Sequence, residues 1–417
     1  MALTALFTGA SGLATFSTDL DVVGNNLANL NTTGFKAQRA SFRDLVYQTL
    51  NAGSVPSGTF GGVNPTQVGF GVGIGSVNTL FQQGTTTPTG RSLDAALQGT
   101  GFFVLSNGQI TTYSRNGSFS VDAAGFLVDP NTGFRVQRTG VVGEGTPSTP
   151  AFQTPGVNDI SIPFGAGAAG VPTTTITFQG NLSATLAVGD VISTGIQFYD
   201  TQSAPHAVVF TFTKTAVNTF DVSAVVNGVT QTIASPTITF DTSGLLVSPA
   251  TISMNVVGLI GVGPQTITLQ MGTPGQTNGL TQFGGGSTAS AVNQDGSASG
   301  TLTDISIDLQ GNLIGLFTNG RKIPVAQLAI AGFNNEDGLL RTGNNYFISS
   351  PASGEPVVGP AGAGGRGLVQ GGALEGSNVD IAIEFAQLII AQRGFQVNTR
   401  TVSAANETLQ ELANIIR

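Results

Sequence analysis

Apolar positions recur every seven residues at both ends of the chain and every two residues through its middle. Near the start Leu6, Leu13, Leu20 and Leu27 form one column, with Ala10, Ser17 and Gly24 at the intermediate four-then-three positions. A seam with small residues in one column predicts a helix packed closely on another. The Asn-rich text from Asn25, and Gly34 beyond it, end the pattern. At the other end Ile381, Leu388, Phe395, Val402, Leu409 and Ile416 keep one register, and the partner column of Phe385, Gln392, Thr399, Asn406 and Ala413 is mostly polar. A helix from Asn378 to Ile416 is expected, about 58 Å long. Ser377 or Asn378 is its candidate cap, with Asp380 in the first turn. Gly394, which costs about 1 kcal/mol relative to Ala inside a helix, reads as a close-packing site rather than a hinge.

Between the ends the period falls to two, as in "GFGVGIGSV", where Phe70, Val72 and Ile74 share one side. One turn signature repeats, in "SVDAAGFL" (Ser120–Leu127), "FDTSGLL" (Phe240–Leu246) and "SIDLQGNL" (Ser306–Leu313). The Asp carboxylate accepts from a turn amide, Gly takes the left-handed position, and the apolar flanks continue two strands. Three β-hairpins are expected. The Pro/Gly stretch "TPSTPAFQTPG" (Thr146–Gly156) opens a Thr/Val-rich block that lasts to "QFGGGS" (Gln282–Ser287).

The expected fold class is therefore mixed and mainly β, a terminal α-helical coiled-coil domain with two β-rich domains nested by insertion. The helical domain takes 1–34 and 374–417, and extended connectors take 35–71 and 363–373. A first β domain takes 72–147 and 294–362, and an inserted all-β outermost domain takes 148–293. No residue between Asp44 and Arg91 is charged, which favours an arm lying on protein.

Composition narrows the chemistry. The 417 residues suffice for two or three domains. Only 9% are charged, and 59 Gly suit many short strands and tight turns. A net charge of −8 without a basic patch argues against nucleic acid. With no Cys and a single His, His206, disulfide frameworks, thiol catalysis and the usual zinc sites fall away. His206, beside Pro205, reads as a turn residue. No apolar run is long enough for a membrane-spanning helix, so no membrane insertion is expected. "MALTALFTGASGLATF" lacks the basic region of a cleaved secretory signal. "GAGGRG" (Gly362–Gly367) matches a phosphate-loop pattern literally but is not set between strand and helix. No catalytic residue, cofactor or metal is assigned, and an enzyme is not expected.

Heptad helices at both ends leave apolar stripes that one subunit cannot cover. Both ends are expected to become ordered when copies pack, with an intrachain coiled coil as the alternative. Identical head-to-tail contacts that do not close give a helical filament. At these residues a resemblance appears. "SGLATFSTDLDVVGNNLANLNTTGFK" (Ser11–Lys36), carrying Asn25, Asn26, Asn29, Gly34 and Phe35, resembles the N-terminal signature of the flagellar rod and hook family of axial proteins. "ALEGSNVDIAIEFAQLIIAQRGFQVNTR" (Ala373–Arg400), carrying Asn378, Asp380, Gln392 and Arg393, resembles its C-terminal counterpart. "GTGFFVL" and "YSRNGSFSVDAAGFLV" resemble the shared β domain. "IQFYDTQSAPHAVVFTFTK" (Ile196–Lys214) favours the hook branch over the rod branch, whose members are usually shorter.

The resemblance implies a structural subunit of a short curved tube that transmits motor torque as a universal joint. Its implied partners are copies of itself, the distal rod protein, the hook cap, the hook–filament junction protein and the flagellar type III export apparatus. The implied location is the extracellular part of the flagellum, reached without a cleaved signal. The terminal heptad residues, Leu6 through Leu27 and Ile381 through Ile416 with Ala10 and Phe385, become the expected contacts between subunits. A rod protein of the same family and a secreted β-rich adhesin are the alternative readings.

Overall fold

A computed structural model describes residues 2–59, 61–145 and 151–415 of the chain. Helix α1 (Ala2–Ala28) and helix α2 (Ile381–Ile415) run antiparallel as a hairpin, and everything else described is strand, turn and loop apart from one short 3-10 turn, Glu336–Gly338. A single chain thus holds both helices against each other, the intrachain pairing weighed above.

Three layers follow one another away from the hairpin. The first is a β ribbon in which Gln38–Asp44 pairs with Val72–Thr79 and Tyr47–Asn51 pairs with Thr66–Gly69, both antiparallel. The segment 35–71 is therefore not an extended arm on the protein surface. Its strands satisfy their peptide groups by ladder pairing, two within the segment and one with Val72–Thr79 just beyond it, and the whole strand Tyr47–Asn51 is exposed. The second expected connector is likewise paired, Leu368–Gly371 with Ala95–Gln98 and Ala373–Glu375 with Thr86–Pro88.

The second layer combines a nine-stranded sheet with a four-stranded one. Its core includes Phe103, Leu105, Phe119, Leu313, Phe317 and Ile330. Phe152, Ile160 and Ile162 pack here too, and Gly167–Ala168 pairs with Gly300–Thr301. The boundary expected at 148 thus moves to about Val171, which bridges to Ser297. The Pro and Gly residues near 150 mark a loop within this domain, because the apolar residues after them fill its core.

The outermost layer is a pair of six-stranded sheets. Alternation in Pro205–Ala216 turns Val208, Phe210 and Phe212 inward, where Phe178 meets Phe210 edge to face at 4.9 Å between ring centres. The three expected Asp turns all form. In each, one Asp Oδ1 accepts from the backbone N–H groups two and four residues on, at 2.9 and 2.8 Å for Asp122, 2.8 and 2.8 Å for Asp241, and 2.9 and 2.8 Å for Asp308. Asp200 builds the same turn with Gln202 and Ala204, and there Ser203 takes the left-handed position at φ 67°. The remaining Asp200 oxygen lies 2.8 Å from His206 Nε2, so His206 stands in a turn-and-strand contact.

Candidate functional site

The helical hairpin and the joint where it enters the β body form the candidate site. Heptad spacing survives in the helices, but the contact face differs from the expected one. On α1 the residues turned towards α2 include Gly9, Gly12 and Phe16, with Asn26 nearer the joint. On α2 they include Glu384, Gly394, Asn398 and Val402. A Cβ added to Gly9 would lie 2.7 Å from Val402, and one added to Gly394 would lie 2.5 Å from the Phe16 ring. Gly394 is a close-packing position, as expected.

Leu6, Leu13, Leu20 and Leu27 sit one position round from that line and stay half-buried, while Ala10 is exposed. Close approach selects the glycines, and the bulky leucines fall to the flank of the contact. On α2, Leu388, Val402 and Leu409 are half-buried on the α1 side, and Ala391 and Ala405 are buried. Phe395 is only partly covered, and Ile381 and Phe385 are 47% and 51% exposed. The column from Phe385 through Asn406 therefore faces away from α1, and the column of Ala391, Asn398 and Ala405 takes its place. Ile416 lies outside the described residues.

At the joint the family-signature residues read backbone. The Asn26 amide donates to the Gln38 carbonyl at 2.8 Å and its oxygen accepts from the Gln38 N–H at 2.9 Å, while its nitrogen also reaches Glu384. Asn378 accepts from the Ala37 N–H at 2.7 Å and donates to the Leu80 and Gln82 carbonyls. Asn29 donates back to the Asn25 carbonyl and accepts from Thr32, closing the end of α1. Gly34 takes φ 69°, and a Cβ there would meet the Asn116 nitrogen at 2.7 Å. Phe35 is buried with Ala37 and Val379. Asp380, rather than Ser377 or Asn378, caps α2, accepting from the Ala382 and Ile383 N–H groups at 2.8 and 3.1 Å. Gln392 and Arg393 lie well away from the joint, exposed on α2.

Beneath these residues lies a cluster that sequence reasoning missed. Lys36 Nζ is 2.7 Å from Glu375 Oε1 and both side chains are fully buried. Arg115 approaches the second Glu375 oxygen at 3.4 Å and donates to the Gly99 carbonyl. Lys36 also donates to the Gln82 carbonyl, and the Gly84 N–H donates to Glu375. Burial pulls the Lys36 ammonium below its usual range, the Glu375 charge opposes that, and Arg115 adds to it. Burial also pushes Glu336 up, against the pull of Arg115 and Lys36. Arg341 is stacked beside Phe35 and Phe347 and donates to the Lys36 carbonyl. Removing one member of such a cluster strands a buried charge, at a cost of about 3–5 kcal/mol. The signal available was a lone Glu in "GGALEGSN" and a lone Lys in "TGFKAQ", both charges set in apolar or small text.

Comparisons with known proteins decide the family. Residues 6–36 match the model described as Flagella basal body rod protein, and 370–415 match Flagellar basal body rod FlgEFG protein C-terminal. Residues 96–184 match Flagellar hook protein FlgE/F/G D1 domain, and 191–297 match Flagellar basal body protein FlaE D2 domain. The chain is 33% identical to Flagellar hook protein FlgE of Borreliella burgdorferi over 99% of both chains. It is 35% identical to the protein of that name from Salmonella typhimurium, over 97% of this chain and 98% of the other. The chain belongs to the flagellar hook protein family. Its hook-family fold has a solved counterpart in a crystal structure of Helicobacter pylori flagellar hook protein FlgE2, with TM-score 0.50 at 15% identity, covering 68% of this chain and 99% of that one. Flagellar basal-body rod protein FlgG of Bacillus subtilis is 27% identical over 100% of both chains.

Proposed function

We propose that the chain is the structural subunit of the flagellar hook, polymerising into a curved hollow tube that transmits torque as a universal joint. The reading is supported above all by the surface of the helical hairpin. Phe7, Ile383, Ile389, Ile390 and Val397 are between 56% and 65% exposed, on an element whose own pairing uses small residues. Apolar surface of that extent is characteristic of an interface awaiting a partner. Further copies of the chain supply the cover, so the hairpins line the tube and the β layers lie outside. Leu6, Leu13, Leu20, Leu27, Leu388 and Phe395, flanking the intrachain seam, serve as contacts between copies. The higher identity to the hook relatives than to the rod relative favours the hook over the rod.

The role is mechanical and involves no catalysis. The remaining partners are the distal rod protein below, the hook cap and hook–filament junction protein above, and the type III export apparatus, which delivers the chain to the extracellular hook. No described helix is long and apolar enough to cross a membrane. Replacing Leu388 by Asp sets a charge in the packed seam, a penalty of at least about 2 kcal/mol. Circular dichroism of the variant is expected to keep the β signal, while electron microscopy under polymerising conditions shows no tubes. Tubes of normal length from this variant would overturn the assignment of the hairpin to the inner wall.

A further inference from the structure

Arg341 is a half-buried cation that the chain leaves short of acceptors. Arg115, Arg135 and Arg138 each face a carboxylate, at 3.4, 2.7 and 2.7 Å. Arg341 forms no ion pair among the described residues. Its guanidinium donates only to the Lys36 carbonyl, and its buried Nε finds no acceptor. Burial pulls its ionisation below the usual range, with no carboxylate to oppose it. Phe35 and Phe347 flank the guanidinium carbon at 5.1 and 5.4 Å from their ring centres. Rings placed there fix the cation without consuming any of its N–H groups.

The guanidinium lines a cleft of about 200 Å³ that shares Asn29, Asn344 and Asn345 with an adjoining cleft of about 360 Å³. No acidic residue lines either one, and the second cation, Lys36, is already held by Glu375. Donors are plentiful instead. Asn116 spends its oxygen on the Ser118 N–H and keeps its NH2 group free. The Asn131 and Asn344 side chains make no hydrogen bond among the described residues. Asn344 and Asn345 stand at φ 52° and 58°, two consecutive left-handed positions that turn the chain between Gly343 and Tyr346. That turn brings the free Asn344 amide into the lining of both clefts.

We propose that these joined clefts receive an acidic side chain of a second copy, its carboxylate meeting the Arg341 guanidinium and its flanking peptide groups meeting the free Asn amides. The inference rests on the self-assembly reading and adds a polar contact to the apolar one. The planar guanidinium fork matches a carboxylate, and a charge-assisted bond supplies the acceptor that Arg341 lacks. The supply lies in the chain itself, which holds 23 acidic residues against 15 basic ones. Among the described residues only Asp94, Glu144, Asp159, Asp200 and Glu375 stand in ion pairs, so most carboxylates are free to meet a neighbour. A contact of this kind selects the alignment between copies more than it adds raw affinity.

The test uses the full-length chain. Asn344→Asp carries a carboxylate of its own into the cleft, at a left-handed position that Asp tolerates. It is expected to lower polymer yield in sedimentation about tenfold, equivalent to about 1.4 kcal/mol, with monomer melting unchanged. Arg341→Met removes the cation and keeps an apolar stem between the rings, and is expected to lower the yield similarly. An electron-microscopic map of the parent polymer is expected to show a carboxylate of a neighbouring copy within hydrogen-bond distance of Arg341. Either variant assembling like the parent, or a map with no neighbouring carboxylate at Arg341, would overturn the contact while leaving self-assembly intact. If Arg341→Met loses its far-ultraviolet signal, Asn344→Asp and the map decide. A parent chain that forms no polymer at all would defeat the underlying reading, and the contact with it.

Discussion

The outermost β domain and the terminal hairpin treat apolar side chains in opposite ways. In the outer domain Phe178, Phe198, Phe210, Phe212 and Phe220 are wholly buried between two sheets, and its strands turn Ser193, Ser223 and Thr237 outward. In the hairpin the closest contacts go to glycines, and several of the large residues stand in the open. One region completes its core by itself. The other leaves part of its apolar pattern uncovered within one chain. The difference shows that apolar content does not by itself measure the stability of a segment, since the same residue type is packed away in one place and left open in the other.

The largest effect expected from a single change lies in the self-sufficient region. Phe210→Ala removes a fully buried ring that touches Phe178, at a cost of about 3–5 kcal/mol. Thermal denaturation should show the outer domain melting earlier, while assembly through the hairpin persists below that transition. A variant that left the melting unchanged would break the contrast. In the hairpin, Gly394→Leu brings a side chain into the Phe16 ring. Overpacking costs about 1–3 kcal/mol, offset by up to about 1 kcal/mol of improved helix propensity. Limited proteolysis should release α2 faster than in the parent, and equal resistance would mean that the helices do not meet at Gly394.

The smallest effect concerns pH. Burial would raise Asp200, but His206 and the Gln202 and Ala204 N–H groups outweigh it and hold the carboxyl below its usual range. A depressed carboxyl contributes stability above its unfolded value, near pH 4, and that contribution fades as pH falls through the folded value. Acid titration of Asp200→Asn should therefore show a shallower loss of outer-domain stability below about pH 4. An unchanged acid slope would remove Asp200 from the account.

Legibility in the sequence followed the range of each interaction. The Asp turns were readable because all their partners fall within four residues, and the fourth was missed because Ser203 stands where the motif has Gly. The helices were readable from their period, but their phase was not. Counting apolar residues favours the leucine column, whereas close approach favours Gly9 and Gly12, which such counting ignores. The Asp380 cap was displaced by two or three positions for a related reason, since Ser377, Asn378 and Asp380 are all competent caps and only the fold selects among them. Asn378 is instead spent on the Ala37, Leu80 and Gln82 backbone. The Lys36–Arg115–Glu375 cluster left only a lone Lys and a lone Glu in small or apolar text, and their pairing was unreadable because its members come from three distant segments. The domain boundary near 150 failed because Pro and Gly announce a loop without saying whether the chain returns to the same core, as Ile160 and Ile162 do.

The separation of 339 residues between Lys36 and Glu375 bears on the order of events. A polypeptide made from its amino end carries Lys36 without a counter-charge until nearly all of the remainder has been produced. Both β layers lie between the two residues, so they can mature while the clasp stands open. Shutting it is therefore reserved for a chain that has been completed, and a truncated one keeps an ammonium that has nowhere dry to go.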